Sequence, residues 1–283
     1  MERTILFENQ PVWNIPLLIG LICVTVLFTV LVKYYTNIKI KQKQPLLFII
    51  SILIFYLMIG SPISVLSHIS FSTHMIQMSI LYFVVPPLLL IGIPELLFQR
   101  VKEYKFLRVV AKIFLPSTIA LLFFATLFFM YHLPVIIEVL TQNSLFHNGY
   151  MGLLFVLSFQ MWWPIVAPDP KQRFCNGSRK RYILLSGMIL MPACVLFIFN
   201  DFIGGIGNPL LMKVTAQLCI PGEISSINLP QLPIDPKFDQ PLAGILMLGI
   251  HKIGMMVTFY FGKRIQNQQE ESPCVCGTYF HYR

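Results

Sequence analysis

Apolar runs and polar breaks alternate along the whole chain. Seven runs, at residues 16–35, 45–61, 74–97, 114–131, 145–167, 182–200 and 241–262, are each close to the length of a bilayer crossing. A hydrocarbon layer of about 30 Å takes roughly 20 residues of helix. The pattern therefore predicts an all-α integral membrane protein with seven transmembrane helices. Residues 1–262 form the membrane domain and 263–283 a tail. The third run opens on His74, Met75 and Met78 and is broken by Pro86-Pro87. Two consecutive prolines leave helix backbone unsatisfied in lipid, so neighbouring protein or a cavity must repair it there.

The polar breaks assign a side to each end. Seventeen Lys and Arg residues fall at residues 33–43, 100–112, 171–181 and 263–283, against three (Arg3, Lys213, Lys237) in the alternate breaks. Basic residues collect in loops retained in the cytoplasm. The N-terminus is therefore expected outside and the C-terminal tail in the cytoplasm. Trp13 suits an interfacial anchor on the outer side, and Trp162-Trp163-Pro164 an aromatic belt and helix stop on the inner.

Composition agrees and narrows the class. With 56% hydrophobic and 12% charged residues over 283 positions, and a mean hydropathy of +0.71, too little polar surface exists to cover a soluble domain. The formal charge of +9 then reflects topology and contact with the lipid bilayer. No basic surface interleaved with aromatics is present, so nucleic acid is not an expected partner. The opening residues contain acids and lack a basic start and cleavage site, so no cleaved signal peptide is expected. Six cysteines scattered over both sides make no disulfide framework.

Candidate chemistry concentrates at the outer ends of the helices. His74 and Met78 are four residues apart and share a helix face, with Met75 about one residue round. Ser72 or Thr73 is the expected N-cap of that helix. Imidazole with thioether suits copper, because soft sulfur selects the cuprous ion and imidazole accepts either oxidation state. His132 ends the fourth helix at the same level, and His147 begins the fifth, with Met151 one turn inward. His68 lies in the preceding outer link. Three histidines from three helices thus converge at one depth, and a copper site is the favoured reading over three interfacial histidines.

Other features are weaker candidates. Met247, His251 and Met255 form a stripe along the seventh helix that suits either packing or a copper path. His251 and Lys252 fall near the bilayer midplane, where polar groups are costly; Glu95 is the nearest carboxylate to pair with Lys252. Met188, Met191 and Cys194 share a face of the sixth helix. Cys274 and Cys276 in the tail form a candidate thiol metal site. A long link at residues 202–240, rich in glycine and proline, is expected to lie over the outer mouth.

Four motifs, taken together, resemble the polytopic CtaG family. They are the run from His74 through Val84-Val-Pro-Pro-Leu-Leu-Leu-Ile-Gly-Ile-Pro94, the His132-Leu-Pro turn, the helix from His147 to Met161-Trp-Trp-Pro164, and Asp239-Gln-Pro-Leu-Ala-Gly-Ile-Leu-Met247. The resemblance covers the third to seventh helices. It implies a multi-pass protein of a bacterial plasma membrane that is not an enzyme but assists assembly of caa-type cytochrome c oxidase. Oxidase subunits and other copper chaperones are the implied partners, and the outer-face histidines His74, His132 and His147 the implied copper ligands, with Met78 added to them by its place on the His74 face. The family usually carries a second histidine four residues after the first in the third helix, where this chain has Met78, which favours cuprous copper. A site shared across a homodimer would suit ligands at helix ends. Two other classes remain open: a metal-ion or proton-coupled permease lined by the broken third helix and His251-Lys252, and a haem-binding protein with two axial histidines.

Overall fold

The structure is a computed structural model that describes residues 13–36, 38, 42–67, 70–104, 115–198 and 236–266. His68, the link at 202–235 and the tail with Cys274 and Cys276 lie outside the described residues. Among the described residues every regular element is helical. In chain order these are α1 (Ile15–Tyr35), α2 (Lys43–Gly60), α3 (Pro62–Leu66), α4 (Phe71–Phe83), α5 (Val85–Gly92) and α6 (Glu95–Lys102). There follow α7 (Ser117–Tyr131), α8 (Pro134–Thr141), α9 (Ser144–Val166), α10 (Asn176–Ile198) and α11 (Pro236–Gln266). Five segments are long and apolar enough to cross a membrane: α1, α2, α4 with α5, α9, and residues Phe238–Phe261 of α11. The apolar α7 is shorter, at 15 residues, and α10 runs for 23.

Local chemistry sets the helix starts. The Asn14 side chain accepts the Leu17 N–H at 3.1 Å, and Asn143 accepts that of Leu145 at 2.9 Å. Both are N-caps answering backbone donors that the helix itself cannot. Ser70, two residues before the expected cap, accepts the Thr73 N–H at 3.2 Å, so α4 starts earlier than its apolar run. Pro134 opens α8, a short helix with no separate apolar signal, because proline is tolerated in a first turn whose N–H has no partner anyway.

The third apolar run breaks where its prolines require. α4 ends at Phe83, and Pro86 and Pro87 fall in the first turn of α5. Lacking N–H groups, they leave the carbonyls of Tyr82 and Phe83 without their usual partners four residues on. The indole of Trp162 donates to Tyr82 O at 2.9 Å. Gly254 of α11 lies against Phe83 O so closely that a Cβ there would sit 2.9 Å from it. Ser51 adds a bond to Val85 O at 2.9 Å. The repair comes from packed protein, and Trp162 is fully buried rather than part of an interfacial belt. Nor does Pro164 stop its helix, since α9 continues to Val166 with the proline inside.

α4 packs most extensively on α11, α2 on α5, α10 on α11 and α7 on α9. The resulting core includes Met75, Met78, Tyr82, Phe83, Phe124, Phe128, Tyr131, Trp162, Phe197, Met247 and Met255. α1 is peripheral, touching the rest mainly through Phe28 stacked on Phe48 at 3.7 Å. Its other faces expose Ile19, Ile22, Val26, Leu27 and Val30, as expected where lipid is the solvent.

The α9–α10 link carries the expected basic residues, but two of them are buried. Arg173 donates to Ala167 O at 2.6 Å, and burial lowers its guanidinium to about 10, opposed by the nearby Glu95 and Asp169 carboxylates. Arg179 lies over the Phe259 ring at 4.7 Å.

Candidate functional site

One end of the bundle gathers the start of α4, the end of α7, the start of α9, the end of α10 and the start of α11. Its fixed point is Asp239 in the first turn of α11. The buried carboxylate accepts the Phe71 N–H at 2.7 Å, the Ser72 N–H at 3.1 Å and the Ser70 hydroxyl at 3.1 Å, and also takes the Ser72 hydroxyl. An anion here satisfies orphan donors of α4 and complements the positive end of its dipole. The clamp sets where His74, one turn further on, stands.

Around that point the three expected histidines come together through a residue that the sequence pattern did not single out. Tyr131, at the end of α7, is the common neighbour. Its ring lies 6.2 Å from His74, 5.2 Å from His132 and 6.0 Å from His147. Its hydroxyl is hydrogen-bonded to His147 Nε2 at 3.1 Å. Among the described residues no three His, Cys, Asp or Glu side chains close on one point as a metal-binding group. The histidines are gathered about Tyr131 rather than converging on a common centre.

His132 has the most distinctive environment of the three. It is buried, with Phe128 at 4.8 Å and Phe197 at 5.3 Å. Its Nδ1 lies 2.7 Å from Phe128 O, so that nitrogen carries the proton and donates. The lone pair is left on Nε2, which is buried with no hydrogen-bond partner among the described residues. A ring N–H held by a backbone carbonyl with the other nitrogen presented is the arrangement that orients histidine toward a metal.

The methionines divide. Met75 and Met78 are buried in the core, with Met78 one turn along α4 from His74. Met151 receives the Tyr82 hydroxyl on its sulfur at 3.5 Å. Met247 and Met255 are buried on α11, one turn either side of His251. Met188 and Met191 are exposed while Cys194 is buried, so they are not one packed face.

His251 and Lys252 are neighbours in sequence that face different surroundings. The His251 ring packs on Phe83 at 4.8 Å, and its Nε2 is buried with no hydrogen-bond partner among the described residues. Lys252 is exposed on the other side of α11, with its ammonium against Gly187 of α10. Glu95 accepts from Gln99 at 2.8 Å and lies near Arg173 rather than beside Lys252.

Asp239, seen in sequence only as the opening of a motif, and Tyr131 have no role that the sequence alone assigns. A carboxylate opening an apolar run was the available signal for the first, and a tyrosine adjoining a candidate ligand for the second.

A family model described as cytochrome c oxidase caa3 assembly factor matches residues 17–261 of the chain. No curated protein and no solved structure matches it.

Proposed function

Since the chain belongs to the cytochrome c oxidase caa3 assembly factor family, we propose that it is a non-enzymatic factor that carries copper as cargo to an oxidase copper centre. The membrane is that of a bacterium, crossed seven times, with α7 and α10 added to the five spans that length and composition single out. Basic links at residues 33–43, 100–112 and 171–181 support an orientation with the C-terminus in the cytoplasm and the Asp239–Tyr131 end outside. Copper delivered to an oxidase from the outer face would be taken up at that end.

The observation that carries the reading is His132. A buried imidazole whose Nδ1–H is spent on Phe128 O, and whose Nε2 is presented without a partner, is an oriented donor in search of an acceptor. His74 and His147 stand beside the same tyrosine ring, and Met78 lies one turn inward of His74. Imidazole and thioether together are a donor set suited to cuprous copper. His147 would have to exchange its bond to the Tyr131 hydroxyl for the metal, which makes release and capture coupled to one hydrogen bond.

Elemental analysis and anaerobic cuprous titration of the purified protein test the assignment, beside His74→Ala, Met78→Leu, His132→Ala and His147→Ala. The expected result is copper in the wild type and its loss in His132→Ala. Absence of copper, or copper unchanged in all four variants, sinks the ligand assignment. A Soret band in the same sample would identify haem instead. In a deletion strain, inactive oxidase with normal copper uptake supports an assembly factor and counts against a permease.

A further inference from the structure

Lys252 is an ammonium in an apolar setting with no hydrogen-bond or ion-pair partner among the described residues. Gly187 lies eleven residues from each end of the 23-residue α10, or about 16 Å. The Lys252 Nζ lies 2.9 Å from where a Cβ on Gly187 would be. The charged tip is therefore laid across the middle of α10, not extended along α11 toward either end. On α11 itself Lys252 is nine residues from Phe261, the end of its apolar span, or about 13 Å. Lysines near helix ends normally lift the ammonium to the headgroups; this one stays at mid-depth.

Adjoining Gly187 or at helical spacing from it and from Lys252, Leu184, Met188 and Met191 of α10 and Ile245 and Met256 of α11 are exposed apolar side chains. A lone cation facing lipid at this depth is costly, and such residues normally pair. Among the described residues none of the long helices carries an acid near its middle. Asp239 is committed to Ser70, Phe71 and Ser72. A second copy would present the same surface and equally lack a mid-depth acid. Lipid phosphates sit about 15 Å away, at the edge of the hydrocarbon layer.

We propose that the α10–α11 face centred on Lys252 is a docking seat for a transmembrane helix of another protein that carries an aspartate or glutamate at mid-bilayer depth. The partner is defined by its charge. Lys252 supplies the pairing cation, Gly187 gives the ammonium its place, and the methionines supply a surface that adapts to an incoming helix. The inference rests on the membrane placement of α10 and α11 and is independent of the copper assignment.

The test is photo-crosslinking of the full-length protein in native membranes, with a photoreactive residue at Met256, one turn from Lys252, and separately at Leu184. Captured peptides are sequenced. The expected result is a cross-link to a transmembrane segment with Asp or Glu near its middle, reduced at least about tenfold by Lys252→Met and by Lys252→Glu. Exchanging the captured acid for lysine should restore the Lys252→Glu cross-link. Folding is checked separately: because Lys252 makes no internal pair, Lys252→Met should leave the melting temperature unchanged or raised. Cross-links only to lipid, to a second copy or to another segment of this chain would overturn the proposal. So would capture of a segment without a mid-depth acid, equal yield in Lys252→Met, or a destabilised Lys252→Met protein.

Discussion

Asp239 accepts the backbone N–H of Phe71 at 2.7 Å, so the first residue of α4 is held by a carboxylate in the first turn of α11. The two residues are 168 positions apart, and the bond joins the helix carrying His74 to the helix carrying His251. Hydrogen bonds to an ionised group contribute about 1.5–3 kcal/mol each, and leaving their partners unsatisfied in a buried place costs a similar amount.

Replacing this carboxylate should therefore destabilise the bundle strongly. Asp239→Ala is expected to cost about 3 kcal/mol or more, and Asp239→Asn less, since an amide keeps one acceptor. Thermal unfolding in detergent measures both. An alanine variant that melts with the wild type would mean the clamp contributes nothing.

Trp162 is expected to act through its N–H more than its bulk. Trp162→Phe keeps an aromatic ring in the core but orphans the carbonyl of Tyr82, left open by Pro86, at a cost of about 1–3 kcal/mol. The substitution also removes volume, so Trp162→Phe is compared with Trp163→Phe, whose indole bonds Gln172 in a half-buried place. The Trp162 variant should melt at the lower temperature; the reverse order refutes the repair.

Gly254 and Gly249 make a matched pair on α11. A Cβ at Gly254 would meet the Phe83 carbonyl oxygen at 2.9 Å, a backbone atom that cannot swing aside, whereas one at Gly249 meets nothing within 4 Å. Gly254→Val should separate α4 from α11 and lower the yield of folded protein. Gly249→Ala should be neutral or stabilising by about 0.5–1 kcal/mol, from helix propensity alone. Melting curves that rank the two the other way would contradict the packing.

Tyr131→Phe removes the hydroxyl from His147 Nε2 while keeping the ring among His74, His132 and His147. On the copper reading, His147 is then released for the metal, and cuprous affinity measured against a chelator should rise or hold. Loss of copper equal to that of His147→Ala would instead make the Tyr131 oxygen part of the binding set.

The apolar runs and the interruption in the third were legible in sequence because both are local. Bilayer crossing is a matter of consecutive residues, and a proline removes its own N–H whatever surrounds it. The same locality explains the errors. Ser72 or Thr73 was the expected cap of α4, but the Ser70 hydroxyl is the one that reaches back to the Thr73 N–H. Trp162 followed by Trp163 and Pro164 has the composition of an interfacial belt, yet the first indole is drawn into the core by a carbonyl 80 residues away. The histidines of three helices were placed at one end by counting residues, and they do meet there. That they gather about Tyr131 follows from how α7 and α9 are rotated, which spacing does not contain.

Sequence by itself thus determined an all-helical chain with repeated apolar spans, the position of its break, and the end at which its histidines stand. Tertiary structure alone decided that Asp239 caps α4, that Trp162 and Gly254 attend the carbonyls freed by Pro86 and Pro87, and that His251 faces Phe83 while Lys252 faces outward onto Gly187. The physical reason is that composition and spacing act along the chain, whereas each of these relationships depends on the rotation and depth of two helices packed side by side.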